Sequence, residues 1–205
     1  MTALSDGSPA APTAKQRQAE ATRTRLLDAA FDEFQRYGLA GARVDRIAEH
    51  AASNKRLIYV YFGDKEQLFD TVLVRNLEPM IDGVEFTIED LPGYAANLFD
   101  YLEARPELLR LFAWRTLEHS DASTASEVER DSYRTKSDAI AEAQAAGLIS
   151  SDLPGSHLLA AILALVQSWS AASPALALAQ GAGEDGPDRR RQSVHSATAR
   201  LIEVK

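Results

Sequence analysis

The octapeptide Lys55–Phe62, KRLIYVYF, mixes two cations and two phenols with apolar side chains, so its chemistry depends on which of them share a face. At about 100° per residue, Ile58 and Phe62 fall together, and Arg56, Leu57 and Val60 fall on the opposite side. An arginine on an exposed helix face can pair bidentately with a guanine edge in a DNA major groove. Arg56, Leu57 and Val60 are therefore the candidates for reaching base edges. Tyr59 and Tyr61 flank that face, where a phenol can donate to a phosphate oxygen, and Lys55 adds charge beside the helix start.

Such residues need a frame. Upstream, Leu27, Ala30, Phe31, Phe34 and Gly38 keep helical spacing, predicting a first helix over 22–38 with Gly38 as its stop. Val44, Ile47, Ala48 and Ala51 predict a short second helix over 44–51, broken at Ala52, Ser53 and Asn54 before a third over 55–62. Two short helices joined by such a turn have the geometry that presents a reading helix to DNA. Asp64, three residues before Gln67, predicts the cap of a fourth helix that continues past Arg75. Beyond Pro79 the chain reads as irregular to Asp90. Further helices are then expected at 91–104, 106–119, 124–146, 153–172 and 188–203. No segment alternates with a period of two, so the fold class is all-α.

The 205 residues can bury a substantial core, and 45% are hydrophobic. The absence of cysteine excludes disulfides and thiol chemistry and fits a reducing, cytoplasmic setting. His50, His119, His157 and His195 are too scattered to suggest a metal site. The apolar run Leu158–Val166 is too short to span a membrane, and the start of the chain does not read as a secretory signal. The net charge of −8 is unevenly spread: residues 1–75 carry 11 Lys/Arg against 10 Asp/Glu, residues 76–205 carry 11 against 20. Global acidity thus leaves room for a nucleic-acid surface in the first part.

The stretch 22–73 resembles the DNA-binding domain of the TetR/AcrR family of transcriptional regulators. The resemblance rests on the first-helix pattern ending in Phe34 and Gly38, the Ile47-Ala48 pair, Tyr59 with Tyr61-Phe62, and Lys65 followed by Glu66 and Leu68. It implies a homodimer that binds a palindromic operator in double-stranded DNA, with Lys55, Arg56, Leu57, Tyr59, Val60 and Tyr61 facing DNA and Lys65 on phosphate. It further implies a repressor released by a small-molecule effector. Arg43 stands where Ser or Thr often caps the second helix, trading a cap for a possible phosphate contact. Ala52-Ser53 replaces the usual Gly-Val, so a position that often takes a positive φ lacks its glycine, at a cost of about 1 kcal/mol if the geometry is kept.

The expected organisation is a flexible arm over 1–18, a three-helix helix-turn-helix domain over 19–66, and a helical effector-binding and dimerisation domain over 67–205. The resemblance suggests dimerisation through the last two long helices. Trp114, Tyr133 and Trp169 are candidates to line an effector cavity, with Arg115, Glu118 and His119 as polar neighbours. Gly181, Gly183 and Gly186 spell G-x-G-x-x-G without a preceding strand, which points to a loop rather than a phosphate cradle. Arg189–Arg191 reads as a solvated face. No nucleophile motif, metal cluster or cofactor site is present, so the expected protein is a regulator and not an enzyme. The alternative is a DNA-binding protein without a ligand switch, working as an activator or through a protein partner.

Overall fold

The computed structural model describes residues 13–118, 125–171 and 186–204. His119, Gly181 and Gly183 lie outside the described residues, as does most of the expected arm. Nine helices and no strand occur among the described residues: α1 (Ala14–Gly41), α2 (Val44–His50), α3 (Lys55–Phe62), α4 (Lys65–Gly83), α5 (Leu91–Glu103), α6 (Pro106–Glu118), α7 (Glu127–Ala145), α8 (Gly155–Ala171) and α9 (Pro187–Ile202). The chain divides after Val72 into two compact units.

Helix α1 begins eight residues before the expected start and runs into the expected arm, because Thr13 and Gln16 form a reciprocal capping box. Residues 14–18 are therefore helical. Gly38 is where the regular helix is interrupted, at φ 67° and ψ −177°, a conformation open essentially to glycine alone. The kink turns the last residues of α1 toward Ala42 and α2.

Phe34, fully buried, meets Phe69 of α4 edge to face with ring centroids 5.0 Å apart, and Leu68 and Val72 are buried beside it. The first turns of α4 thus complete the core of the first unit, which moves the division from the expected 66/67 to 72/73. As expected, Asp64 caps α4 by accepting the Gln67 N–H at 2.8 Å.

Pro79 does not end α4, contrary to the sequence expectation. It is exposed, while Leu73 and Leu77 on the helix's inner side and Val84 just past its end are buried, so packing offsets the roughly 3 kcal/mol that an interior proline costs. In the second unit α5 packs closely on α9, where Asp100 accepts from Arg191 at 2.7 Å and Val194 and Thr198 are buried. Helices α7 and α8 also pack against each other. A Cβ at Gly155 would stand 2.7 Å from the Ser137 carbonyl oxygen, so α8 can start there only with glycine. The turn between them is held by Gln144, whose amide donates to Ser150 and Leu153 carbonyls, and by Ser150 N–H on the Ile202 carbonyl at 2.9 Å.

Replacing Gly38 by alanine forces a side chain into this backbone region. We expect Gly38→Ala to lower unfolding stability by about 1–3 kcal/mol, read as a fall in the urea midpoint with the slope unchanged; an unaltered midpoint would show that the kink relaxes freely.

Candidate functional site

The turn between α2 and α3 has a defined hydrogen-bond pattern. Ala52 N–H donates to the Glu49 carbonyl at 3.0 Å and Ser53 N–H to the Ala48 carbonyl at 2.9 Å, which is the Schellman pairing that ends a helix. That pattern requires a left-handed residue at the first position past the cap, and Ala52 supplies it at φ 46°, the one non-glycine residue with positive φ among those described. The geometry that glycine favours is therefore kept without glycine. Asn54 then caps α3 by accepting the Arg56 N–H at 2.8 Å, and the Ser53 hydroxyl is buried beside it with no hydrogen-bond partner.

Helix α3 has the expected bounds and the expected inner face: Ile58 and Phe62 are buried. Arg56, Tyr59 and Val60 are exposed, Val60 at 65% and Tyr59 at 47%, and Leu57 is half-buried. Tyr61 is half-buried, with its ring edge on to Phe62 at 6.0 Å.

The cations around α3 differ in their commitments. Lys55 is ion-paired to Asp45 of α2 at 2.8 Å, and that hydrogen bond raises its pKa. Lys65 donates to the Ala42 carbonyl at 3.3 Å. Among the described residues the guanidinium groups of Arg43 and Arg56 take no partner, and both side chains are exposed.

A buried carboxylate that the sequence reading did not single out ties this surface to α1. Glu33, 8% exposed, accepts the Arg43 N–H at 2.9 Å and the Arg46 Nε–H at 2.8 Å. Arg46 also donates to the Gly41 carbonyl at 3.0 Å and lies 4.4 Å from the Tyr37 ring centroid. Arg43 makes no side-chain cap for α2, as expected. Glu33 compensates from outside the helix. The available signal was a glutamate beside Phe34 on the inward stripe of α1, but which base answers it cannot be read from spacing. Arg25 and Arg23 add further ties, the first to the Ala51 carbonyl at 3.4 Å and the second over the Phe62 ring at 5.5 Å.

The second unit encloses a cavity of about 100 Å³ whose apolar wall includes Leu77, Leu98 and Leu163. Its polar wall includes Arg115, Glu129 and Tyr133. Arg115 and the buried Glu129 form a bidentate pair with both distances 2.7 Å. Of the three aromatic candidates, Tyr133 lines the cavity, whereas Trp114 and Trp169 are not among its lining residues. Helix α6 turns Phe112, Arg115 and Thr116 toward the cavity, and Trp114 sits about 200° around the helix from Phe112. The Trp169 ring instead carries the Arg190 guanidinium 5.2 Å from its centroid. Glu118 does not line it either.

A smaller hollow of about 30 Å³ shares Leu77, Leu98, Glu129 and Tyr133 with this cavity and adds Tyr94 and Lys136. Burial pushes the Tyr94 phenol up to about 12 and the Lys136 ammonium down from its usual range. Among the described residues no cluster of three His, Asp or Glu could hold a metal ion, and no helix is long and apolar enough to cross a membrane.

The left-handed Ala52 gives a direct check on the turn. Ala52→Gly should raise the urea midpoint by the equivalent of about 0.5–1 kcal/mol, the left-handed penalty less the added freedom of the unfolded chain; a lower midpoint would mean that the alanine methyl contributes more than its strain costs.

Comparison with known proteins places these features. The family model described as "Bacterial regulatory proteins, tetR family" matches residues 26–72, and that described as "Tetracyclin repressor-like, C-terminal domain" matches residues 90–200. The HTH-type transcriptional repressor SCO4008 of Streptomyces coelicolor is 38% identical over 91% of this chain and 98% of its own length. The HTH-type transcriptional repressor NicS of Pseudomonas putida is 32% identical over 50% of this chain and 52% of its own. The crystal structure of the putative transcriptional regulator SCO4942 from Streptomyces coelicolor superimposes with a TM-score of 0.77 at 34% identity, covering 88% of this chain and 98% of that one. With both family domains matched in order and a repressor similar along nearly the whole chain, the protein belongs to the TetR family of helix-turn-helix transcriptional repressors, which are regulators and not enzymes.

Proposed function

We propose that the chain acts in the cytoplasm as a homodimer, binds a palindromic operator through α3, and leaves it when a small molecule occupies the cavity of the second unit. The observation that carries the DNA reading is the outward face of α3. Arg56 and Val60 are exposed on it, Arg56 without a partner among the described residues, Tyr59 is half-exposed beside them, and Ile58 and Phe62 anchor the opposite side. In this reading Arg56, Leu57 and Val60 meet base edges, and Arg43, Lys55, Tyr59, Tyr61 and Lys65 meet phosphates or their surroundings.

Support for a dimer comes from the outer sides of α8 and α9. His157, Ala160, Ala164 and Ser168 are exposed along one stripe of α8, and Ser193 and Arg200 are exposed on α9. Small side chains at that spacing let helices approach closely, and a four-helix contact through a two-fold axis would present two reading helices to half-sites about 34–36 Å apart. Effector release needs only differential affinity: a ligand that binds the free protein more tightly than the operator complex lowers occupancy by that ratio. The cavity with its mixed wall is the place for such a ligand.

Selection of bound sequences from a random DNA pool should return an inverted repeat. On that sequence, Arg56→Ala should weaken binding by about 1–3 kcal/mol and relax preference at one base position, and Tyr59→Phe should weaken it by roughly 0.5–1.5 kcal/mol. Both variants should unfold at the wild-type midpoint. Full-strength binding by Arg56→Ala and Tyr59→Phe together would remove α3 as the reader.

Sedimentation equilibrium at micromolar concentration should give twice the chain mass, and Ala164→Arg should shift it toward the monomer while the helical circular-dichroism signal is kept. A monomeric wild type would end the palindrome reading.

A further inference from the structure

The charges on the cavity walls do not balance. Glu129 is the carboxylate common to both hollows, and its two oxygens are taken by Arg115. That pair is neutral as a unit. Lys136 is half-buried, donates to the Ser132 hydroxyl at 2.9 Å, and lies 5.9 Å from the Phe86 ring centroid and 5.6 Å from that of Tyr94. It has no carboxylate partner among the described residues. An ammonium carries three donors, and one of them is accounted for. The aromatic faces stabilise the cation only modestly, which leaves a desolvated positive charge beside an apolar hollow.

We propose that this hollow takes the acidic group of a small organic anion, held by Lys136, with the ligand's apolar body running along Leu77, Leu98 and Leu163. The Tyr94 and Tyr133 phenols stand in the same wall. Tyr94, pushed up to about 12, keeps its proton at neutral pH and can donate to the ligand rather than repel it. A cationic ligand would find Glu129 already occupied by Arg115 and would face Lys136 directly. The inference rests on the cavity being the effector site, and it adds the ligand's charge class.

The test uses the full chain and a series of carboxylates, hexanoate, octanoate, decanoate, benzoate and 3-phenylpropanoate, each beside its primary amide and the matching amine. Binding is followed by calorimetry at pH 7, and release of the selected operator by fluorescence anisotropy. At least one acid should bind about tenfold or more tightly than its amide, equivalent to about 1.4 kcal/mol. Lys136→Met should bring acid and amide within about twofold of each other, and Lys136→Arg should keep the preference. Both variants should bind operator without ligand as the wild type does. Equal binding of acid and amide, a preference for the amine, no binding by any acid of the series, or a preference that survives Lys136→Met would each overturn the proposal. An acid that binds without releasing operator leaves the anion site standing and removes the effector switch. Release by an amide or amine alone does the reverse.

Discussion

A helix of eight residues is too short to be stable by itself in water, so α3 exists only because Ile58 and Phe62 are held in a core. The rest of the first unit follows from that requirement. The Phe34–Phe69 contact and the buried Leu68 and Val72 close the core, and Arg23 lies over the Phe62 ring at its edge. Once one face of a helix this narrow is committed inward, the other has no second layer to meet. Arg56 and Val60 point out as a geometric consequence of burying their neighbours.

Precision on that outer face depends on the turn before it. Three devices act within a few residues: the left-handed Ala52, the Asn54 cap, and the Arg25 side chain on the Ala51 carbonyl. Glu33 adds a fourth from α1, through Arg43 N–H and Arg46. Glu33 is buried while Arg46 is part exposed, so losing these donors would leave a desolvated carboxylate unpaired. The strained residue is therefore tolerated because its surroundings over-determine the turn.

Much of this frame was legible in the residues. Helical periodicity and cap chemistry are local, and they located α3 to the residue, the Asp64 cap, the Pro106 start and the inward pair Ile58 and Phe62. What escaped depends on partners distant in the chain. Pro79 stays helical because Leu77 and Val84 are packed, and Leu68, Phe69 and Val72 join the first unit because Phe34 awaits them. The Lys55–Asp45 and Glu33–Arg46 pairs need helix packing to bring them together. The cavity was the least legible part. Aromatic composition pointed to Trp114 and Trp169, but Trp114 is out of phase with Phe112 and Thr116, and the Trp169 ring is covered by Arg190.

The same pairings bear on how such a chain can select DNA at all. Residues 1–75 are nearly neutral, with 11 Lys/Arg against 10 Asp/Glu, and Lys55 and Arg46 are further neutralised by Asp45 and Glu33. Bulk attraction to phosphate, which scales with the number of cations that displace counterions, is correspondingly small. The acidic second part, 11 against 20, opposes non-specific contact by any other surface. In the proposed reading, binding comes from a few groups whose positions are set by the core: the guanidinium groups of Arg43 and Arg56, without partners among the described residues, and the outward face of α3. Weak background attraction makes the difference between a matched and a mismatched site a larger fraction of the total, so this distribution of charge favours discrimination over raw affinity.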